Sequence, residues 1–348
     1  MKHAPNADDD LPIVDAHHHL WDLEGELRYP WLTNNEHSYM GENSALRRTY
    51  LPDEYKRDCA LHNVIATVFV QCGAFHKAGG PEHLRPVGET EFVNGVAAMT
   101  ASGVYGPVRA CAGIVGTADC TIGDKIKETL EAHLVAGGGR FRGIRHSASS
   151  DPDPGVLGPL NRTPPGLYAS DAFRSGYKHL ADYGMSFDAW LLEPQLPDLI
   201  DLVSRHPDIP VILDHVGTPL GIASYEGRRE ERFPTWLANI RELAKRPNVS
   251  VKLGGLAMAF CNFPSFLADP PAPSTQLAAE WKPYLDACIE AFGPQRCMFE
   301  SNFPVDKRGV SYAVLWNTFK RLASGASAAE KAALFRGTAC RFYRLTLA

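Results

Sequence analysis

The chain has 348 residues, of which 45% are hydrophobic and 22% charged, a composition that excludes wholesale disorder and allows a large core. With 35 basic and 40 acidic residues, its net charge of −5 gives no global electrostatic reason to bind nucleic acid or anionic lipid. The length would suit two domains, but α/β barrels of this size also occur as one domain.

Eight short apolar runs, each bounded by turn residues, predict buried strands. Between these runs, apolar residues recur at helical spacing. Ile126, Leu130 and Leu134 precede Gly137, a glycine that predicts the end of a helix. Near the C-terminus, a capping box predicts that the last helix begins at Ser327. The predicted strands cover residues 12–16, 64–71, 108–115, 141–147, 185–191, 209–215, 249–254 and 296–301.

Strands that alternate with helices predict a mainly parallel sheet, and eight such units close a barrel. No G-x-G-x-x-G or P-loop motif is present, which disfavours a doubly wound open sheet. We therefore predict an α/β fold, a single (β/α)8 TIM barrel over residues 1–348 with an extra C-terminal helix. Long insertions after strands one, four, six and seven, at residues 23–52, 148–170, 217–233 and 257–276, are expected to enclose a substrate pocket.

The eight cysteines never form a C-x-x-C pair, and most lie in apolar runs, which predicts a reducing compartment. The N-terminal tail, residues 1–11, carries no apolar stretch, and no segment reaches the roughly 18 apolar residues that a membrane span needs. We therefore expect a cytoplasmic protein.

The strongest local signal is Asp15-Ala16-His17-His18-His19 at the end of the first predicted strand. Side chains alternate along a strand, so we expect Asp15, His17 and His19 on one face and His18 on the other. Two neutral imidazoles on one face at a barrel mouth can bind one metal ion. The alternative is that these histidines are satisfied polar residues at a strand end.

Two more strand ends carry candidate site residues. His215, within LDHVG after strand six, is either a third member of the site or a cap of the following loop. Glu300 and Asn302 share a face at the end of strand eight. A buried carboxylate is costly without a partner, so Glu300 is predicted to pair with a cation or metal or to act as an acid or base.

These motifs resemble the amidohydrolase-2 branch of the metal-dependent amidohydrolase superfamily, TIM-barrel hydrolases and decarboxylases that include sugar lactonases and 2-pyrone-4,6-dicarboxylate lactonase. The resemblance runs from about Ile13 to the C-terminus. It rests on five ordered motifs, VDAHHHLWD, GIRH, LDHVG, VKLGG and MFESNFPVD.

The resemblance implies that activated water attacks a carbonyl, with His17, His19 and His215 near the metal or the substrate oxygen. The family usually reads G-S-D-x-P where this chain reads E-S-N-F-P. Since Asn302 cannot accept a proton as an aspartate would, we hypothesise that Glu300 has taken over the role of that carboxylate.

Substrate-binding residues are predicted on the same strands. Arg145 on strand four offers a rigid fork for a carboxylate, and the resemblance supports it because related lactonases use arginines in this region for anionic substrates. Most of the weaker candidates have a structural alternative, which is hydrogen bonding between strands for Gln71, Asp188 and Lys252 and pinning of a loop for Trp21. These candidates are His146, Gln71 after strand two, Asp188 on strand five, Lys252 on strand seven and Trp21 in the first loop.

We therefore predict a hydrolase that opens a lactone or related cyclic ester of a small, anionic carboxylic acid. One divalent ion, Zn or Mn, is expected on His17, His19 and His215, although the lactonase branch contains members that work without metal, which leaves metal-free chemistry open. The alternatives are a metal-dependent non-oxidative decarboxylase of an aromatic or muconate-type acid and a degenerate barrel that only binds a ligand. No nucleic-acid or membrane partner is expected, and a homodimer is the base-rate expectation.

Overall fold

The computed structural model describes residues 10–23 and 46–347, so the start of the N-terminal tail and most of the insertion after the first strand lie outside the described residues. Strands and helices alternate through the described chain, and each predicted run overlaps one strand. The strands are β1 (Ile13–His18), β2 (Val64–Val70), β3 (Arg109–Gly116), β4 (Phe141–Arg145), β5 (Ser186–Ala189), β6 (Val211–Leu213), β7 (Val249–Leu253) and β8 (Cys297–Phe299).

Helices surround the sheet, and no helix among the described residues is long and apolar enough to cross a bilayer. A π turn, Ala333–Gly337, joins the last two helices. The helices are α1 (Pro52–Cys59), α2 (Val87–Ala101), α3 (Ile126–Ala136), α4 (Pro154–Leu157), α5 (Asp171–Tyr177), α6 (Leu196–Arg205), α7 (Arg229–Ala244), α8 (Ser274–Phe292), α9 (Tyr312–Leu322), α10 (Ala328–Ala332) and α11 (Thr338–Phe342).

The described strands pair in sequence order, from β1 to β8, as one parallel sheet. The segment after β8 returns to β1, because His18 pairs with Phe303 and the backbone N–H of Asn302 donates to the His17 carbonyl at 2.8 Å. The sheet therefore closes on itself, which confirms the predicted (β/α)8 TIM barrel.

Two helix ends match their sequence signals. Helix α3 ends at Ala136, directly before Gly137, as the glycine stop predicted. Ser327 caps α10: its Oγ accepts from the Glu330 N–H, and the Glu330 carboxylate accepts from the Ser327 N–H at 2.8 Å. The capping box therefore begins the C-terminal helical segment where it was predicted.

Apolar side chains fill the amino-terminal half of the barrel interior. Val14, Ile212 and Met298 are buried there against Tyr343, which follows α11 and has no exposed surface. The Tyr343 hydroxyl donates to Asp188 Oδ2 at 2.7 Å. The C-terminal segment therefore closes the barrel from below and touches its polar interior.

Strand β1 carries a bulge that changes which of its side chains enter the barrel. Between Asp15 and His18 it has one residue more than the paired stretch of β2. Asp15 consequently faces the surrounding helices, while His17 faces the interior. The expectation that Asp15 shares a face with His17 and His19 is wrong, because strict alternation does not hold across a bulge.

The Asp15 carboxylate joins β1 to β8 and to two helices. It accepts from the Ser301 N–H at 2.8 Å, from the Ser301 hydroxyl at 2.6 Å, from Tyr55 of α1 at 2.9 Å and from Tyr312 of α9 at 3.1 Å. Burial raises the pKa of Asp15 to about 6, and these donors oppose that shift. The carboxylate therefore holds together elements far apart in the chain.

We expect Asp15→Ala to lower the free energy of unfolding by about 3 kcal/mol, because several buried donors lose their acceptor. Guanidinium chloride denaturation measures this loss. The control Tyr55→Phe removes one of the donors and is expected to cost about 1 kcal/mol. A loss for Asp15→Ala no larger than that of the control would contradict the assignment.

Candidate active site

A cavity of about 270 Å³ opens at the carboxyl ends of the strands, where barrel enzymes place their active sites. Small-molecule sites commonly enclose about 300–1,000 Å³, so this cavity suits a small ligand. Two of the predicted insertions, after β4 and β7, contribute to its wall. The apolar lining comprises Leu157, Leu160, Trp190, Met258, Ala259, Phe260 and Val305, and the polar lining includes His19, Gln71, Arg145, Ser149, His215 and Asn302.

Three histidines present ring nitrogens at the carboxyl end of the barrel. His19 Nδ1 lies 2.7 Å from the Val70 carbonyl, and His215 Nδ1 lies 2.7 Å from Glu300 Oε1. Carbonyl and carboxylate oxygens only accept, so each ring donates from Nδ1, and its Nε2 is the nitrogen that is bare when the ring is neutral. His17 Nε2 lies 3.2 Å from His19 Nε2, and His17 Nδ1 lies 2.9 Å from Glu300 Oε2.

Two glycines after β7 make room for this arrangement. A Cβ on Gly254 would lie 2.4 Å from Cγ of Glu300, and a Cβ on Gly255 would lie 2.5 Å from Cγ of His215. His215 itself has a φ of +55°, which few residues other than glycine adopt. The VKLGG motif therefore provides the space in which His215 meets its carboxylate partner.

Glu300 lies behind the histidines and does not line the cavity. Burial opposes its negative charge, but the neighbouring His215 and His17 together outweigh burial and lower the pKa of Glu300 to about 2. The carboxylate is therefore ionised at neutral pH and is a weak proton acceptor by itself. Its contacts are those of a group that orients His215 and His17.

A buried ion cluster lies beneath the histidines. Lys252 Nζ lies 2.7 Å from Asp188 Oδ2, 2.9 Å from Asp214 Oδ1 and 3.1 Å from His17 Nδ1, and all four side chains are fully buried. Although burial favours the neutral amine, the two carboxylates raise the pKa of Lys252. Burial and this ammonium together lower the pKa of His17 to about 4, so the imidazole is neutral at pH 7.

Arg145 lines the cavity and is fixed by contacts on two sides. Its Nη1 donates to Asp214 Oδ2 at 3.3 Å and lies 3.3 Å from His17 Nε2, while its Nη2 donates to the Gln71 carbonyl. A neutral imidazole has one acceptor nitrogen, so only one of the cations Arg145 and Lys252 donates to His17 at a time.

The structure brings together six of the predicted site residues and places Gln71 in the cavity wall. Three predicted substrate-binding residues lie elsewhere. His146 Nδ1 accepts from the Cys120 N–H at 3.2 Å, Trp21 Nε1 donates to the Arg48 carbonyl at 2.8 Å, and Asp188 lies below the histidines in the ion cluster. For Trp21 and Asp188, these contacts are of the kind that their structural alternatives describe. The six residues brought together are His17, His19, Arg145, His215, Glu300 and Asn302.

Sequence reasoning missed Asp214 and Trp190. Asp214 precedes His215 in LDHVG, and a carboxylate at the end of a buried strand is the same signal that pointed to Glu300. Trp190, which walls the cavity after β5, has no such signal, because an aromatic residue at that position suits a core equally well.

The residues present fit a divalent cation. One ligand atom from each of His17, Asp214 and His215 lies within 4.8 Å of the others, and all three are buried. Histidines that bind metals commonly donate their other N–H to a carboxylate or a carbonyl, as His215 does to Glu300 and His19 does to the backbone. The predicted ligand set named His19 in place of Asp214, and His17 and His215 are common to both sets.

Comparison with known proteins agrees with this geometry. The sequence model of the amidohydrolase family Amidohydro_2 matches residues 14–345. The uncharacterised protein y4mH of Sinorhizobium fredii is 34% identical over 97% of this chain and 99% of its own length. An L-fucono-1,5-lactonase of Burkholderia multivorans is 31% identical over 95% of this chain and 96% of its own length. A solved amidohydrolase from Burkholderia multivorans with bound Zn is 29% identical, with a TM-score of 0.70, over 96% of this chain and 99% of that one.

The ion cluster predicts a large stability loss when its central cation is removed. Lys252→Met leaves two buried carboxylates without their cation and is expected to lower the free energy of unfolding by about 3–5 kcal/mol. Guanidinium chloride denaturation at pH 7 measures the loss. The double variant Lys252→Met/Asp188→Asn removes one of these two unpaired charges and should recover part of the lost stability. Equal stability of Lys252→Met and the wild type would refute the cluster.

Proposed function

Since the chain belongs to the amidohydrolase family of hydrolytic enzymes, we propose that it opens the ring of a small lactone by attack of water. The observation that carries the proposal is the pairing of His215 Nδ1 with a buried, ionised Glu300, in a histidine that also lines the cavity. A neutral imidazole whose Nδ1–H is held by a carboxylate is a suitable general base for water.

His215 takes the proton from the attacking water, and Glu300 stabilises the imidazolium that results. The water oxygen bonds to the lactone carbonyl carbon, and the bond from that carbon to the ring oxygen then breaks. The imidazolium returns its proton to the leaving alkoxide, so the product is an open-chain hydroxy acid. This assignment revises the hypothesis that Glu300 is itself the base, because its pKa of about 2 makes it a poor one.

Arg145 is placed to hold an oxygen of the substrate. Its guanidinium lines the cavity, lies 5.7 Å from the ring centroid of Trp190 and is fixed by Asp214 and by the Gln71 carbonyl. Since Asp214 already balances part of its charge, we propose one substrate oxygen at Arg145 and do not assign a binding site for a second anionic group. The apolar wall opposite suits the carbon skeleton of the lactone.

A divalent ion, when bound, would polarise the carbonyl and lower the pKa of a bound water. The residues that would hold it are His17 and Asp214, with His19 adjoining His17. His215 belongs to the same cluster, but Glu300 holds its Nδ1 and its Nε2 is the proposed base, so we do not count it as a ligand. Zn is the first ion to test, because the imidazole nitrogens of histidine are common zinc ligands.

The test is proton release from a panel of sugar-acid and pyrone-type lactones, with and without added Zn²⁺ or Mn²⁺. We expect hydrolysis of at least one lactone, and we expect Glu300→Gln to lower kcat by about 10²–10⁴-fold through loss of the base's partner. The control His83→Gln changes a histidine that contacts Glu128 and does not line the cavity, so it should retain the wild-type rate.

Other outcomes of that assay bear on the alternatives. Carbon dioxide release from aromatic or muconate-type acids without lactone hydrolysis would replace the proposal with a decarboxylase. Tight ligand binding without turnover would favour the degenerate barrel. Retention of full activity by Glu300→Gln would refute the assigned role of His215 and its partner.

The role of Arg145 has a separate test. Arg145→Gln removes a charged donor from the substrate oxygen, and we expect KM to rise about 10-fold or more, the effect of losing a charge-assisted hydrogen bond. Comparing a neutral lactone with one that carries a carboxylate shows whether the substrate preference is anionic. An unchanged KM for both would contradict substrate contact by Arg145.

A further inference from the structure

We infer that a groove at the amino-terminal end of the barrel binds a small organic molecule through its phosphate group. This groove, which we call the arginine groove, is lined by Arg109, Arg140 and Arg142. It shares no lining residue with the cavity at the carboxyl ends of the strands. The inference therefore goes beyond the proposed function and does not depend on it.

The arginine groove lies where three neighbouring strands begin. Ile65 of β2, Arg109 of β3 and Arg142 of β4 line it, together with the turns that follow α2 and α3 and the end of the C-terminal segment. It encloses about 730 Å³. Small-molecule sites commonly measure about 300–1,000 Å³, so the groove has room for more than a bare inorganic ion.

The positive charge of the groove is not balanced by the described part of the chain. No acidic side chain lines it there, and none of its three arginines forms an ion pair with a described carboxylate. A fourth cation adjoins them, because Arg344 Nη2 donates to the Arg142 carbonyl at 3.1 Å. Burial and the guanidiniums of Arg344 and Arg140 lower the pKa of Arg142. A bound anion would relieve this repulsion between like charges.

Arg142 presents one complete edge of its guanidinium without a partner. Its Nη1 donates to the carbonyls of Gly139 at 2.7 Å and Phe141 at 3.0 Å, which fixes the group at the start of β4. Its Nε is buried without a hydrogen bond, and its accessible Nη2 forms none with the described residues. Nε and Nη2 are the two donors of one edge of an arginine, and such an edge matches two oxygens of a phosphate.

The other arginines add donors around that edge. Arg140 uses its Nη1, toward Asn94 Oδ1 at 2.8 Å, and Arg109 is exposed and forms no side-chain hydrogen bond with the described residues. A carboxylate would occupy one guanidinium edge. A phosphate group has three acceptor oxygens and nearly two charges at neutral pH, so it can contact several arginines at once.

The rest of the wall indicates what carries the phosphate. No aromatic side chain lines the described groove, so it offers no platform on which a nucleobase could stack. Small apolar side chains predominate instead, and these suit an aliphatic body. They include Ile65, Ala97, Ala101, Pro107, Ala110 and Leu347.

The test measures binding of hexyl phosphate to the full chain by isothermal titration calorimetry at pH 7.5 and low ionic strength. We expect one molecule to bind per chain, at least about 10-fold more tightly than inorganic phosphate, because its alkyl chain leaves water. Hexanoate should bind at least about 10-fold more weakly than hexyl phosphate, since it has fewer acceptor oxygens and one charge. Added salt should weaken the binding.

Variants assign the binding to the groove. Arg142→Gln should bind hexyl phosphate at least about 10-fold more weakly, through loss of the paired donors. Arg109→Gln should bind it about 2–5-fold more weakly, the effect of an exposed charge. The matched control Arg228→Gln changes an arginine that pairs with Glu231 outside the groove, and it should bind as the wild type does.

Thermal unfolding verifies that each variant is folded, and Arg109→Gln alone tests the groove if Arg142→Gln does not fold. Wild-type affinity in either folded variant would overturn the inference. So would a wild-type protein that binds no hexyl phosphate at millimolar concentration, or one that binds only to vesicles of anionic lipid.

Binding that is lost in Arg145→Gln but kept in Arg142→Gln would place the phosphate in the cavity and would also overturn the inference. Lactone hydrolysis is measured separately and uses none of the groove residues. Failure of the groove to bind would therefore leave the proposed function standing, and absence of hydrolysis would leave the groove standing.

Discussion

A buried ammonium held between two carboxylates is the constraint on which the interior of this barrel depends. Lys252 has no exposed surface, and a buried charge of this kind persists only where partners compensate for lost hydration. Asp188 and Asp214 are those partners, and Asp214 in turn holds Arg145 at the cavity. The positions of the cations, and the neutrality of the histidine between them, are thus consequences of one electrostatic requirement.

Much of the fold was predictable because it depends on local patterning. Short apolar runs alternating with helical spacing are enough to predict a parallel barrel, and the stop at Gly137 and the cap at Ser327 follow from single residues. Placing candidate ligands at the carboxyl ends of strands likewise needs only the topology of the barrel. His19 and His215 therefore could be assigned to one region without coordinates.

The remainder depended on features that a single sequence does not encode locally. One extra residue in β1 turned Asp15 away from the site, and nothing in an apolar run announces a bulge. Asp306 is separated from Asn302 by one turn, but its contacts with the Asn302 amide and with the backbone N–H of Ala257, from a different loop, depend on how these loops pack together. Likewise, whether Glu300 acts directly or through His215 depends on which group faces the cavity.

The position of the Tyr343 side chain affects how a ligand enters and leaves the barrel. Because this side chain fills the centre of the barrel on the side opposite the cavity, a ligand can reach the interior of the described barrel through the opening at the carboxyl ends of the strands. Under the proposed function, an incoming lactone and the outgoing open-chain product must therefore pass through the same opening. A longer, more flexible product would block binding of the next substrate molecule until it dissociates, so the rate of turnover would depend on product release as well as on bond breaking.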